Sequence, residues 1–102
     1  MRTGSDLLES LKSWVAANAS QLRENGFDVD LTESPEDYDP RSVRLILEAD
    51  ERLGELALWS NGTAELHLAE VASGDVVREH REITSHADLA SSLKALTNRM
   101  TA

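Results

Sequence analysis

The side chains through which this chain could do chemistry are three histidines and nineteen carboxylates, in a sequence of 102 residues without a cysteine. His67, His80 and His86 have no spacing that brings two imidazoles onto one helical face, the usual arrangement of joint metal ligands. No metal centre is expected. His67 is expected to share a sheet face with Leu56 and Glu65, where bonding to a neighbouring carboxylate is the ordinary role of a histidine, and His80 in His80-Arg81-Glu82 reads the same way. The acids build no calcium loop, because Asp28, Asp30 and the run from Glu36 to Asp39 lack the twelve-residue ladder with its central glycine and terminal glutamate. The five glycines stand singly, so no phosphate cradle forms, and no Gly-x-Ser-x-Gly elbow presents a nucleophile. Paired carboxylates abound, but nothing sets one pair in divergent environments as general acid and base would require. The expectation is a protein that is not an enzyme and takes no cofactor.

What the acids do show is clustering. Of the formal charge of −9, the segment Glu24 to Glu55 carries −8, with eleven carboxylates against Arg41, Arg44 and Arg52. Clustered like charge costs stability and steers association, so the segment reads either as a docking surface for a basic partner or as a solvated face that keeps the chain soluble. The docking reading selects Glu36, Asp37, Tyr38, Asp39, Glu48, Asp50, Glu51 and Trp59 as partner-binding residues. Tyr38 is either a hot spot among carboxylates or a ring folded onto the sheet edge, and Trp59 is either core or an anchor on an uncovered face. Binding to nucleic acid is not expected, because affinity for a phosphate backbone comes from lysine and arginine. Met1 to Leu8 has one Arg2 and no apolar run, and no stretch approaches the roughly 18 apolar residues of a membrane span. A cytoplasmic protein that does not enter a membrane is expected.

These side chains must be positioned by a small number of elements. Leu7, Leu8, Leu11, Trp14, Val15 and Leu22 recur at steps of three and four, predicting a helix from about Ser5, its cap, to Glu24, closed by Asn25-Gly26. Phe27, Val29 and Leu31 then alternate with polar residues as a strand with one wet face does. Ser34 to Pro40, with two prolines and three acids, is a loop, and Val43 to Asp50 alternates as a second strand. Asn61-Gly62 between Leu53–Ser60 and Thr63–Val71 signals a hairpin with a two-residue type I′ turn. That loop places Trp59 opposite Ala64, Ala57 opposite Leu66, Leu58 opposite Glu65 and Leu56 opposite His67, which puts apolar side chains on both faces. Val76 to Thr84, interrupted by Glu79 and Arg81, reads as an edge strand blunted by charge. Ser85 and Asp88 resemble a capping box ahead of a helix carrying Leu89, Leu93, Leu96 and Met100. The fold class is α+β over residues 1–102: one domain, a five-strand antiparallel meander with the N-terminal and C-terminal helices packed on one face.

Several stretches together resemble one bacterial family. Trp14 in the first helix, Asn25-Gly26-Phe27, Leu31-Thr32-Glu33-Ser34, Ser42-Val43-Arg44-Leu45, the run Gly54 to Gly62, Ser73-Gly74-Asp75 and Glu79-His80-Arg81-Glu82 are similar to the TriTu-type immunity proteins. These are partners of polymorphic toxins such as those delivered in contact-dependent growth inhibition. The resemblance spans nearly the whole chain but rests on turns and strand patterns, and it supplies no functional residue to carry over. It implies a cytoplasmic antitoxin that binds one cognate toxin domain and blocks it; a monomer in a one-to-one complex with the toxin's C-terminal domain is the separate expectation, the sequence leaving the oligomeric state open. A basic, nuclease-like toxin suits the acidic segment. The rivals are an acidic secretion chaperone, which would be a dimer wrapping an extended client, and an orphan enzyme, which would need a cleft with convergent polar groups.

Overall fold

The computed structural model describes residues 3–35, 37 and 39–101, with side chains from Asp6 onward. The order is α1 (Thr3–Glu24), β1 (Asp28–Glu33), β2 (Ser42–Glu48), β3 (Arg52–Trp59), β4 (Thr63–Glu70), β5 (Val76–Glu82) and α2 (His86–Thr101). The five strands form one antiparallel sheet in the order β1-β2-β3-β4-β5, an α+β meander with both helices on one face. Helix α1 lies over β1 and β2, and α2 lies over β3 and β4. Each helix buries its apolar stripe on Val43, Leu45, Leu47, Leu56, Leu58 and Leu66 of the sheet, with Trp14 only partly buried at the margin.

Local chemistry explains the helix ends. After Leu22, the Phe27 N–H bonds the Leu22 carbonyl and the Gly26 N–H bonds the Arg23 carbonyl, both at 3.0 Å, while Gly26 takes a φ of +94°. This is the Schellman closure, and the buried Phe27 and Leu22 supply its apolar contact. The start of α1 differs from expectation: the helix begins at Thr3, so Ser5 falls inside its first turn rather than before it. At α2, the Ser85 hydroxyl accepts from the Asp88 N–H at 3.1 Å, and Asp88 reaches one residue further back than a capping box would, accepting from the Thr84 N–H and hydroxyl at 3.0 and 2.8 Å. These bonds hold the Asp88 carboxyl below its ordinary pKa, the Thr84 backbone bond contributing most.

The β3–β4 register corrects the sequence reading by one residue. Leu58 pairs with Ala64, Ala57 with Glu65, Leu56 with Leu66 and Glu55 with His67. The loop is therefore Ser60-Asn61-Gly62, closed by the Gly62 N–H on the Trp59 carbonyl at 3.0 Å. Only Gly62 has a positive φ, +91°, whereas a type I′ turn would need one at Asn61 as well. Asn61 instead uses its side-chain oxygen to accept from the Thr63 N–H at 2.9 Å. The physical reason is burial: a slip of one residue moves a whole strand's side chains to the other face. The observed register puts Leu56, Leu58, Ala64 and Leu66 together against the helices, all at 0% exposure. His67 consequently lies opposite Glu55, not Leu56.

Candidate functional site

The face of the sheet away from the helices is uncovered, and the pairings lay its side chains out in rows. From β2 to β5 one row runs Ile46, Glu55, His67 and Arg78, and the next runs Arg44, Ala57, Glu65 and His80. Along these rows opposite charges meet. Arg44 Nε is 2.8 Å from Glu55, and Glu55 is 3.7 Å from His67 Nδ1. His80 lies 3.1 Å from Glu65 through Nδ1 and 2.7 Å from Glu82 through Nε2. Two ring nitrogens facing two carboxylates are both satisfied as donors only in the imidazolium, so Glu65 foremost and then Glu82 raise the His80 pKa above its ordinary value. Reciprocally, His80 more than His67 lowers that of Glu65. His67 Nε2 stands 3.5 Å from Glu65 yet is buried without a hydrogen bond. The expected carboxylate bonding thus holds for His80, while His67 has carboxylates beside it and no bond to either through that atom.

A second ionic group sits at the β5 margin of the helical face. Arg81 donates to Glu79 at 2.9 Å and to the Ser92 hydroxyl at 3.2 Å, and Arg99 of α2 pairs with the other Glu79 oxygen. Both guanidiniums, Arg81 first, hold the Glu79 carboxyl below the usual range. The charges that interrupt β5 in the sequence therefore fasten the edge strand to α2. On the far side of the molecule Lys12 joins Glu9 at 2.8 Å and Glu33 at 3.1 Å, which raises the lysine's pKa and lowers that of Glu9.

Set against these pairs, the acidic segment behaves differently. Within it Glu33 and Glu55 are paired, whereas Glu24, Asp28, Asp30, Asp37, Asp39, Glu48, Asp50 and Glu51 make no ion pair among the described residues, and all eight are exposed. The strands divide them into two groups. Asp37 and Asp39 lie in the β1–β2 loop, at the end of the sheet where Pro40 and Trp59 line a common depression. Trp59 itself is half-buried opposite Ser42 on the uncovered face. Asp50 and Glu51 form the tip of the β2–β3 turn, closed by the Ala49 N–H on the Arg52 carbonyl at 2.8 Å, with Glu48 and Asp28 paired across the strands beside it. The seven residues of β2 separate the two groups by roughly 20 Å. The selected residues Glu36 and Tyr38 lie outside the described residues.

Sequence reasoning did not pick out the contacts of Arg44 and His67 with Glu55, the first of which steps diagonally between the two rows, or Glu65 as the partner of His80 on the next strand. Part of the signal was present in the alternation of β3 and β4: pairing them so that Leu56 matches Leu66, instead of by the turn alone, brings Glu55 opposite His67, whereas Glu65 opposite His80 depends on the separate β4–β5 register. Among the described residues no three histidine or acidic side chains converge as metal ligands would, and no helix is long and apolar enough to cross a membrane. What the arrangement offers is a broad surface for contact, ionically neutralised in the middle and anionic along β1, β2 and their turns. No curated protein matches the chain. The family model described as "Immunity protein TriTu" matches residues 9–99.

Proposed function

The chain belongs to the TriTu immunity-protein family, and we propose that it neutralises a cognate toxin domain by docking its unpaired carboxylates against a basic surface of that domain. Membership supports an immunity function with a toxin protein as partner. The observation that carries the finer reading is the division of the acids. Outside the segment Glu24 to Glu55, Glu9, Glu65, Glu79 and Glu82 are neutralised within the fold while Asp6, Glu70 and Asp75 are not; inside it eight of the ten described acids are left to solvent without an ion pair. A face left anionic in this way accelerates encounter with a cationic partner and repels acidic ones. A cleft that binds a polyanionic substrate, as a nuclease's does, is such a partner, and carboxylates can occupy it in place of phosphates. The contact set is Glu36, Asp37, Tyr38, Asp39 and Trp59 at one end of the sheet, and Glu48, Asp50 and Glu51 at the other. The protein acts in the cytoplasm as a monomer in a one-to-one complex, without catalysis.

Close charge pairs across tight interfaces couple by about 1.5–7 kcal/mol. Replacing Asp37 and Asp39 together by alanine is therefore expected to weaken binding to the C-terminal domain of the protein encoded immediately upstream, to flatten the dependence of affinity on salt and to reduce protection in cells producing that domain. The same holds for Asp50 and Glu51. Titration calorimetry at low and high ionic strength measures it. If both double variants keep wild-type affinity at low salt, the acidic contact is wrong.

A further inference from the structure

Among the described residues, the four large apolar side chains that the fold leaves exposed all lie at one end of the sheet: Leu53 at 40% of its full accessibility, Val71 at 69%, Val76 at 58% and Val77 at 47%. Leu53, Ala69 and Val76 are directly opposite one another across β3, β4 and β5 on the uncovered face. Val77 points the other way, beside Leu68, into a cleft of about 480 Å³ that also touches Met100, because α2 covers β3 and β4 but stops short of β5. The end of the edge strand is thus apolar on both sides. The turns bring Glu51 to the same place, since the Val71 N–H bonds the Glu51 carbonyl at 2.8 Å. Glu48, Asp50, Glu51, Glu70 and Asp75 surround the patch, all exposed and without ion pairs among the described residues. Of the bases nearby, Arg52 is spent on the carbonyls of Arg99 and Met100, and Arg99 on Glu79; Arg78 faces the uncovered side next to His67.

We propose that this apolar end of β5, ringed by carboxylates, is the anchor of the toxin contact, and that the toxin domain presents there an apolar side chain set in a basic surface. The inference rests on the immunity reading and deepens it, choosing the Asp50–Glu51 end of the sheet over the Asp37–Asp39 end as the centre of the interface. An apolar centre with a polar rim is the usual anatomy of a protein contact, and a few buried side chains at such a centre carry most of its energy. Exposed apolar patches with polar surrounds are uncommon on proteins that bind nothing there. Charge decides between occupants. A second copy of this chain would bring its own net charge of −9 and the same five carboxylates against the patch, whereas a cationic surface meets five unpaired carboxylates there, opposed by Arg78 beside Val76 and Arg52 beside Val77.

The test is Val76→Asp, assayed for binding to the C-terminal domain of the protein encoded immediately upstream. The substitution adds a carboxylate to an already acidic rim, so a contact made by charge alone would hold or tighten. An apolar anchor instead loses affinity by about tenfold or more. Val76→Thr, which keeps the β-branched shape of an exposed strand residue, is expected to weaken binding in the same direction by a smaller factor, and unchanged thermal unfolding of that variant separates the effect from folding. Affinity unchanged or improved in both variants overturns the anchor while leaving the acidic docking reading intact. Failure of the wild-type chain to bind or protect against that domain overturns the immunity reading itself. Sedimentation of the free wild-type chain as a dimer that Val76→Asp dissociates overturns the assignment of the occupant in favour of a second copy.

Discussion

Alanine at Gly62 tests the joint on which the arrangement of the uncovered face depends. Gly62 has a φ of +91°, where a side chain costs about 1–2 kcal/mol from its own backbone. A Cβ there would also stand 2.9 Å from the Ile83 carbonyl oxygen, a backbone atom tied down because the Ile83 N–H bonds the Gly62 carbonyl at 2.7 Å. Relief requires the hairpin to shift against the strand-to-helix connection, and overpacking of this kind adds about 1–3 kcal/mol. Gly26 supplies the internal control. Its φ of +94° is nearly the same, but a Cβ there meets nothing within 4 Å. Gly26→Ala should therefore lose about 1–2 kcal/mol and Gly62→Ala about 2–5 kcal/mol. The assay is urea unfolding followed by tryptophan fluorescence and far-ultraviolet circular dichroism, with a shared m-value as the check that the same surface is exposed. In thermal unfolding each kcal/mol corresponds to about 4–8 °C in a domain of this size. Asn61→Ala completes the series, expected to lose only about 0.5–1.5 kcal/mol for the bond to the Thr63 N–H. Equal losses at Gly26 and Gly62 would refute the close approach to Ile83, and a loss at Asn61 as large as that at Gly62 would point to a two-residue turn and the register that goes with it.

Two further expectations concern the core and the ionic rows. Leu45→Ala, at a position of β2 with no exposure on the face that α1 covers, should cost about 2–5 kcal/mol by urea unfolding, with a value below 1 kcal/mol counting against the packing described. His80→Gln should make stability less dependent on pH. A histidine whose folded pKa is raised contributes fully below the ordinary value of 6.5 and loses that contribution as pH rises through the folded pKa; Glu65, whose folded pKa is lowered, contributes above 4.5 and loses it as pH falls. The difference in melting temperature between wild type and His80→Gln is thus largest between these two values and shrinks at higher pH; a difference that does not shrink as pH rises well above 6.5 would contradict the pairing.

The order of elements, the helical stripes, the Gly26 closure and the Ser85–Asp88 cap could be read from the chain because each depends on residues within one or two turns of one another. The concentration of charge between Glu24 and Glu55 was equally legible, being a matter of composition. Which of those acids stay unpaired was not, since Glu55 finds Arg44 and His67 on neighbouring strands while Glu48 and Asp50 find no cation. Asn61-Gly62 carries a turn signal but does not by itself choose between a two-residue and a three-residue loop, and the two differ by the one residue that decides which face every side chain of β4 occupies. Burial of Leu56, Leu58, Ala64 and Leu66 against the helices makes that choice. Trp59 is assigned to the uncovered face by the same step. The apolar end of β5 has a related origin: Val76 and Val77 are ordinary strand residues in sequence, and they stand exposed because the register turns Val76 to the uncovered face and α2, over β3 and β4, leaves Val77 without cover on the other. Alternation and capping are local and act before the chain knows its partners, whereas register, cover and ion pairing are contacts between distant segments, fixed only when the layers close.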